Sequence, residues 1–184
     1  MEHKFDGLRE IVRDPKQFLK KANENPMDYF ILGVFVYMLP WLFSINAVAS
    51  AVVSYILSAA SFYIIGKALG GKGSFFPIFV CIGYASFPIT LLIGVVSIVL
   101  FAIPKDVFAM VAAGNASQIA LSIPLLAGLT AFVISFLFLF SWMFLINVLV
   151  CRQCHSMSPW KSIFVTLLSW IAPIIVAAAV GTIP

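Results

Sequence analysis

The chain has 184 residues, of which 62% are hydrophobic and 10% are charged, and its mean hydropathy is +1.10. Soluble domains are about half apolar and a quarter charged, so this composition predicts a membrane protein and excludes a soluble core, intrinsic disorder and a collagen-like fibre. Three cysteines are too few for a disulfide-stapled module, and no cluster of basic and aromatic residues indicates a nucleic-acid partner.

The first 28 residues hold twelve of the eighteen charges and lack the apolar run of a signal peptide. Apolar residues recur there at helical spacing in two groups: Phe5, Leu8, Ile11 and Val12, then Phe18, Leu19 and Ala22. We expect the second helix to begin with Asp14 as N-cap, Pro15 at its first position and Gln17 in the capping-box place. We interpret this segment as two amphipathic helices on the cytoplasmic membrane surface; the alternative is a small solvated cap on the helical bundle.

Four uncharged stretches are long enough to cross the roughly 30 Å of hydrocarbon in a bilayer. They are 29–66, 73–104, 107–151 and 162–184. The first is long enough for two spans, with a hairpin predicted near Ser44–Ala47. The predicted fold class is therefore all-α, a polytopic membrane protein with five transmembrane helices at about 29–46, 48–66, 76–102, 120–150 and 162–182. Residues 107–118 are predicted to form a short interfacial helix and turn.

The basic residues indicate how these spans are oriented, because Lys and Arg accumulate in cytoplasmic loops. Five spans with the N-terminus inside place ten basic residues in the cytoplasm and only Lys105 outside. A single long helix over 29–66 would give seven against four. We therefore predict a cytoplasmic segment, 1–28, followed by a transmembrane domain, 29–184, whose C-terminus lies outside.

Small hydroxyl side chains mark one stripe of the second predicted span: Ser50, Ser54, Ser58 and Ser61. Small residues let helix backbones approach closely, so we interpret this stripe as a helix-packing seam. The alternative is a polar conduit, because hydroxyl groups can also line a pore. No Asp, Glu, Lys, Arg or His lies in any predicted span, which argues against an ion-coupled pump.

The segment Cys151-Arg152-Gln153-Cys154-His155 fits the pattern for covalent c-type haem attachment. The predicted topology places it in the cytoplasm, whereas c-type haem is normally attached outside that compartment. Zinc would lack a fourth ligand there. We therefore expect reduced cysteines at a helix end and no cofactor or metal, and a haem or metal protein stays a remote alternative. No nucleophile has a matching base and orienting acid, so we predict no enzyme.

Three segments resemble the Yip (Ypt-interacting protein) domain family: Arg13–Phe18, the basic loop Gly66–Gly73, and Gly83-Tyr84-Ala85-Ser86-Phe87-Pro88. The most specific element is the motif G-Y-x-x-x-P, carried by Gly83, Tyr84 and Pro88. The resemblance covers roughly residues 13–182 and is to the compact, prokaryotic-type members. It implies five spans, a cytoplasmic N-terminus and, only in a eukaryotic host, a small GTPase as partner.

These patterns together predict a non-enzymatic integral membrane protein, a membrane-organising or trafficking-type adaptor that acts through helix packing, lipid contact and oligomerisation. The expected partners are the lipid bilayer and copies of itself or other membrane proteins. The alternative from a different class is a small-solute or ion channel or transporter. It is indicated by the serine stripe and by prolines inside the predicted spans: Pro40, Pro88 and Pro173.

Overall fold

The computed structural model describes residues 9–39, 45–93 and 123–179, and within these ranges the chain is helical and contains no strand. The helices are α1 (9–13), α2 (Pro15–Glu24), α3 (Pro26–Met38), α4 (Ile45–Ala68), α5 (Phe75–Ala85), α6 (87–93), α7 (Ile123–His155) and α8 (Pro159–Ala179). The predicted all-α class is confirmed for these residues.

Helix α2 begins at the residue that the sequence predicts. Asp14 Oδ1 accepts a hydrogen bond of 3.0 Å from the backbone N–H of Gln17, and Pro15 takes the first helical position. The carboxylate thereby satisfies one of the N–H groups that every helix leaves unpaired at its start. The apolar face is completely buried: Phe18, Leu19 and Ala22.

This burial corrects the interpretation of the N-terminal segment. Helix α2 packs against α3 and α5, so its apolar face is covered by protein and is not free to enter a membrane surface. In α1, Ile11 is buried and Val12 is exposed. Phe5 and Leu8 lie outside the described residues. For α2, the alternative of a cap on the helical bundle is therefore the one that the structure supports.

The first uncharged stretch contains two helices, but their boundary differs from the predicted one. Helix α3 ends at Met38 and α4 begins at Ile45, so residues 45 and 46, which the prediction places in the first span, belong to α4. Pro40 lies outside the described residues. Residues 45–47 of the predicted hairpin are helical, and Ser44 lies outside the described residues.

Three segments are long and apolar enough to cross a membrane: Val48–Ala68, Phe75–Ile93 and Thr130–His155. Helix α3 is apolar but shorter. All three segments leave large apolar side chains exposed, among them Ile64 on α4 and Phe138 on α7. The chain therefore has the helices of a membrane protein, with three segments of spanning length among the residues described.

The later boundaries also differ from the predicted spans. The third predicted span is interrupted at Ser86, a turn between α5 and α6. Helix α7 continues to His155 rather than stopping at residue 150, because a cation such as Arg152 is favourable in the last turn of a helix. Helix α8 starts at Pro159, a residue suited to a first helical turn. Predictions for 94–122 and 180–184, including the interfacial helix at 107–118, lie outside the described residues.

The chain forms two compact units, Met1–Phe87 with Met143–Pro184, and Pro88–Trp142. In the first unit α5 packs against α2, α3 and α4, and α8 packs against α4. Helix α5 is therefore the central element of that unit. In the second unit the rings of Phe132, Phe136 and Phe140 follow one another at four-residue spacing along α7, with centroids 6.3 and 5.8 Å apart.

Candidate functional site

Two glycines let α3 and α5 touch backbone to backbone. A methyl group at Gly83 would overlap the carbonyl oxygen of Gly33 and lie 2.6 Å from the hydroxyl oxygen of Tyr55. A methyl group at Gly33 would lie 3.0 Å from the carbonyl oxygen of Val80 and 3.1 Å from the ring of Tyr84. Such close approach is typical of packed membrane helices. We call Gly33, Tyr55, Gly83 and Tyr84 the glycine–tyrosine junction.

Tyr55 fixes α4 to α5 at this junction. Its side chain is buried, and its hydroxyl donates to the carbonyl oxygen of Phe79 at 2.6 Å. Its ring lies between those of Tyr37 and Phe79, with centroid distances of 4.3 and 4.1 Å. A buried hydroxyl needs a hydrogen-bond partner, and here the backbone of α5 supplies it.

Tyr84 connects α5 with both α2 and α3. Its hydroxyl donates to the carbonyl oxygen of Tyr29 at 2.9 Å. Its ring meets Phe18 edge-on with centroids 4.7 Å apart, and Phe18 meets the ring of Tyr29 at 5.4 Å. Edge-to-face contacts of this kind are favourable for aromatic rings. Tyr84, the tyrosine of the predicted motif, therefore holds α2 against α5.

The structure brings together two of the three predicted motif residues. Gly83 and Tyr84 lie in the junction, whereas Pro88 lies in α6 and in the other compact unit. Gly33 and Tyr55 belong to no predicted motif, and their contacts come from residues distant in the chain. The available signal in the sequence is that Gly33 is the single glycine inside the apolar stretch that forms α3. The contacts of the junction are those of a packing site.

The serine stripe lies beside the buried face of α4, not on it. Ser50 and Ser54 are exposed, while Ser58 and Ser61 are half-buried. Ser61 Oγ donates to the carbonyl oxygen of Leu57 in its own helix at 2.9 Å. The buried face consists of Ala51, Tyr55, Ala59 and Phe62. Packing of α4 within the described residues therefore uses this neighbouring face, and the helix-packing role of the serine stripe stays a prediction.

His155, the last residue of α7, is enclosed by the glycine loop that follows α4. Its side chain is buried, and a methyl group at Gly66 would overlap its imidazole. Methyl groups at Gly71 and Gly73 would lie 2.5 and 2.9 Å from its Nδ1. The backbone N–H of Lys72 donates to the carbonyl oxygen of His155 at 3.1 Å. We call His155 together with Gly66–Gly73 the histidine loop.

The hydrogen bonding of His155 selects one tautomer of the imidazole. Nε2 lies 3.1 Å from the carbonyl oxygen of Phe62. Because a carbonyl oxygen can only accept, Nε2 carries the proton, and Nδ1 of the neutral ring is an acceptor. Nδ1 is buried without a hydrogen-bond partner among the described residues. The ring therefore anchors the end of α7 to α4.

The cysteines near His155 contact other parts of the first compact unit. Cys151 Sγ lies 3.7 Å from Thr166 Oγ1, and Cys154 interacts with Cys81 of α5. All three thiols are free and buried. Haem attachment requires both thiols and the imidazole to reach one macrocycle, but the glycine loop occupies the space around this imidazole. No cluster of three or more His, Cys, Asp or Glu side chains suited to a metal occurs in the described parts of the chain.

Charged residues of the N-terminal helices are paired with one another. Lys21 Nζ donates to Glu10 Oε1 at 2.5 Å, and this bond raises the pKa of Lys21 above its ordinary value. Lys20 Nζ lies 3.9 Å from Glu24 Oε1. Asn23 Nδ2 donates to the carbonyl oxygen of Gln153 at 3.5 Å, which connects α2 with the end of α7.

Comparison with known proteins adds nothing to the family resemblance. No family model, no curated protein and no solved structure matches this chain. The resemblance to the Yip family thus rests on the chain's own residues. The packing roles of Gly83, Tyr84 and the glycine loop are derived from their contacts and do not depend on it.

Proposed function

We propose that this chain is a non-enzymatic integral membrane protein of the Yip type, a membrane-organising or trafficking-type adaptor. It acts by helix packing, by contact with lipid and by association with copies of itself or with other membrane proteins. In this proposal α3 and the residues after it, α4, Phe75–Ile93, α7 and α8 each cross the bilayer once. The N-terminus is cytoplasmic and the C-terminus lies outside, as the distribution of basic residues favours.

The polarity of α8 is the observation that carries this proposal. Its exposed face is apolar: Phe164, Leu167, Leu168, Ile171 and Ile175. Its buried face contains hydroxyl groups: Ser162, Thr166 and Ser169. A helix of a soluble protein has the opposite arrangement, so this exposed face requires lipid or a membrane partner. The 21 residues of α8 extend about 31 Å, close to the hydrocarbon thickness of a bilayer.

The hydroxyl groups of α8 support the same conclusion. Thr166 Oγ1 donates to the carbonyl oxygen of Ser162 at 2.9 Å, and Ser162 Oγ donates to that of Ser158 at 3.0 Å. Both hydroxyls bond to a backbone carbonyl four residues earlier in the chain, as suits polar groups where water is absent. Ser169 Oγ differs, because it is buried without a hydrogen-bond partner among the described residues. The tyrosines of the glycine–tyrosine junction likewise donate to backbone carbonyls. These polar groups therefore stabilise the fold.

Photo-crosslinking in intact membranes tests the proposal. A benzoylphenylalanine placed at Phe164, which is exposed on α8, is expected to trap a second copy or another membrane protein on irradiation. The same probe at Phe62, an aromatic position buried in α4, is the matched control and is expected to give only crosslinks within the chain.

Two outcomes contradict the proposal. One is a strictly monomeric purified protein with no crosslinked partner from Phe164. The other is solute or ion flux in proteoliposomes that Ser54→Leu abolishes, which would establish a channel or transporter through the serine stripe. No flux in either the wild type or Ser54→Leu rejects that alternative.

A further inference from the structure

Two loops meet at one end of the first compact unit and form a single surface. The backbone N–H of Lys72 donates to the carbonyl oxygen of His155, and Lys161 Nζ donates to the carbonyl oxygen of Leu69 at 3.2 Å. The first bond joins the loop after α4 to the end of α7, and the second joins it to the first turn of α8. The loop after α4 and the turn between α7 and α8 are therefore held together.

This surface carries four basic side chains, all exposed: Lys67, Lys72, Arg152 and Lys161. We call these four residues the cationic cluster. The sequence has no Asp or Glu in 45–93 or 123–179, and none of the four forms an ion pair with a described carboxylate. Residues 9–28 differ from this cluster in their charge balance, because they contain five basic and four acidic residues. Two oppositely charged pairs among them are in contact. No carboxylate of the described residues therefore compensates the cationic cluster, and Lys67 Nζ lies 5.9 Å from the centroid of the Tyr63 ring.

The position of the cationic cluster along the helices places it at the membrane surface. Lys67 lies in the last turn of Val48–Ala68 and Arg152 in the last turn of Thr130–His155, two segments of spanning length. The exposed fraction of Trp160, the residue next to Lys161, is 75%. Exposed tryptophans are typical of the boundary between hydrocarbon and headgroups. In the proposed topology, Lys67 and Arg152 thus lie at helix ends that face the lipid headgroups.

Gly70 lies beside the ammonium group of Lys161. Gly70 is exposed and has a φ of 87°, a conformation that favours glycine. A methyl group at Gly70 would lie 3.9 Å from Lys161 Nζ, an ordinary van der Waals distance. The ammonium group keeps two donors besides the one it gives to Leu69.

We propose that the cationic cluster binds the phosphate-bearing headgroup of an anionic phospholipid at the membrane surface. The inference specifies the lipid contact of the proposed function and rests on the same spanning helices. Topology alone requires basic residues on one side of the membrane, but it does not require four of them to converge on two joined loops. Each basic residue near an anionic membrane surface contributes roughly a five-fold gain in binding.

Titration of the purified full-length protein in detergent with fluorescent phosphatidylglycerol and phosphatidylcholine tests this inference. The wild type is expected to prefer phosphatidylglycerol. Lys67→Gln/Lys72→Gln is expected to weaken that binding about 25-fold, since two cations are removed. The matched control, Lys16→Gln/Lys20→Gln, removes two exposed cations of α2 and is expected to change binding less than three-fold, roughly the effect of less than one charge.

Three results would overturn the inference. They are equal affinity for both lipids, an equal loss of phosphatidylglycerol affinity in the two double variants, and complete displacement of the lipid by inorganic phosphate added at the same concentration as the lipid. Thermal unfolding in phosphatidylcholine verifies that each variant is folded. Arg152→Gln, an exposed position, gives a second test with an expected loss of about five-fold. If Phe164 crosslinks to a partner but the protein shows no preference between the two lipids, only this inference is rejected. If the protein prefers phosphatidylglycerol but is strictly monomeric and traps no partner, only the adaptor function is rejected.

Discussion

Substitution of Gly83 by alanine tests the glycine–tyrosine junction most sharply. The added methyl group overlaps the carbonyl oxygen of Gly33, a backbone atom that can move only if α3 and α5 separate. Overpacking of a tight contact costs about 1–3 kcal/mol, and the better helix propensity of alanine returns roughly 1 kcal/mol. Because the contact is with backbone, we take the upper end and expect a net loss of about 2 kcal/mol, or roughly thirty-fold in the folding equilibrium constant.

Reversible unfolding in mixed detergent micelles measures this loss. Gly33→Ala is the matched comparison and is expected to be milder, because its methyl group lies 3.0 Å or more from its neighbours. Tyr55→Phe removes the hydroxyl that lies 2.6 Å from the new methyl group. It should rescue Gly83→Ala only in small part, since the clash with Gly33 remains. Full rescue by Tyr55→Phe, or an unchanged Gly83→Ala protein, would refute backbone contact as the reason for glycine.

Three further changes address other contacts. Asp14→Ala should lower the free energy of unfolding by about 1 kcal/mol, because the N-cap is lost. Asp14→Asn should retain most of the stability, since asparagine is also a good N-cap. Equal losses in the two variants would contradict the capping role. Ala51→Leu, on the buried face of α4, should lower the free energy of unfolding by about 1–3 kcal/mol. Ser54→Leu, on the exposed face, should lower it by less than about 0.5 kcal/mol. If thermal unfolding gives the reverse order, the packed face of α4 is misassigned. Tyr84→Phe should cost about 0.5–1.5 kcal/mol by removing the bond to Tyr29, and a larger loss on Tyr84→Leu would separate ring packing from that bond.

Local chemistry explains which parts of the fold the sequence predicts well. Asp14, Pro15 and Gln17 determine the start of α2 through contacts among near neighbours, so their order in the chain is sufficient. The helices of spanning length likewise follow from long apolar runs. Helix ends are harder to predict, because a charge such as Arg152 marks both a loop and a favourable last helical turn.

Contacts between distant segments explain what the sequence could not predict. The serine stripe and the alanine face of α4 have the same helical spacing, and only the position of Tyr55 against α5 decides which one is buried. Gly83 was identified through its motif, but its partner Gly33 carries no motif. The amphipathic pattern of α2 fits a membrane surface and a protein surface equally well, and the contact of Phe18 with Tyr84 selects the protein.

Topology mapping by cysteine labelling tests the central claim, a five-span membrane protein with its cationic cluster on the side of the N-terminus. Single cysteines at Lys16, Ser158 and Ile183 are compared in a background without the native cysteines, which are buried where the structure describes them. The account predicts that an impermeant maleimide applied from the cytoplasmic side labels Lys16→Cys and Ser158→Cys, and from the opposite side labels only Ile183→Cys. Labelling of positions 16 and 183 from the same side would require an even number of spans and would contradict the account.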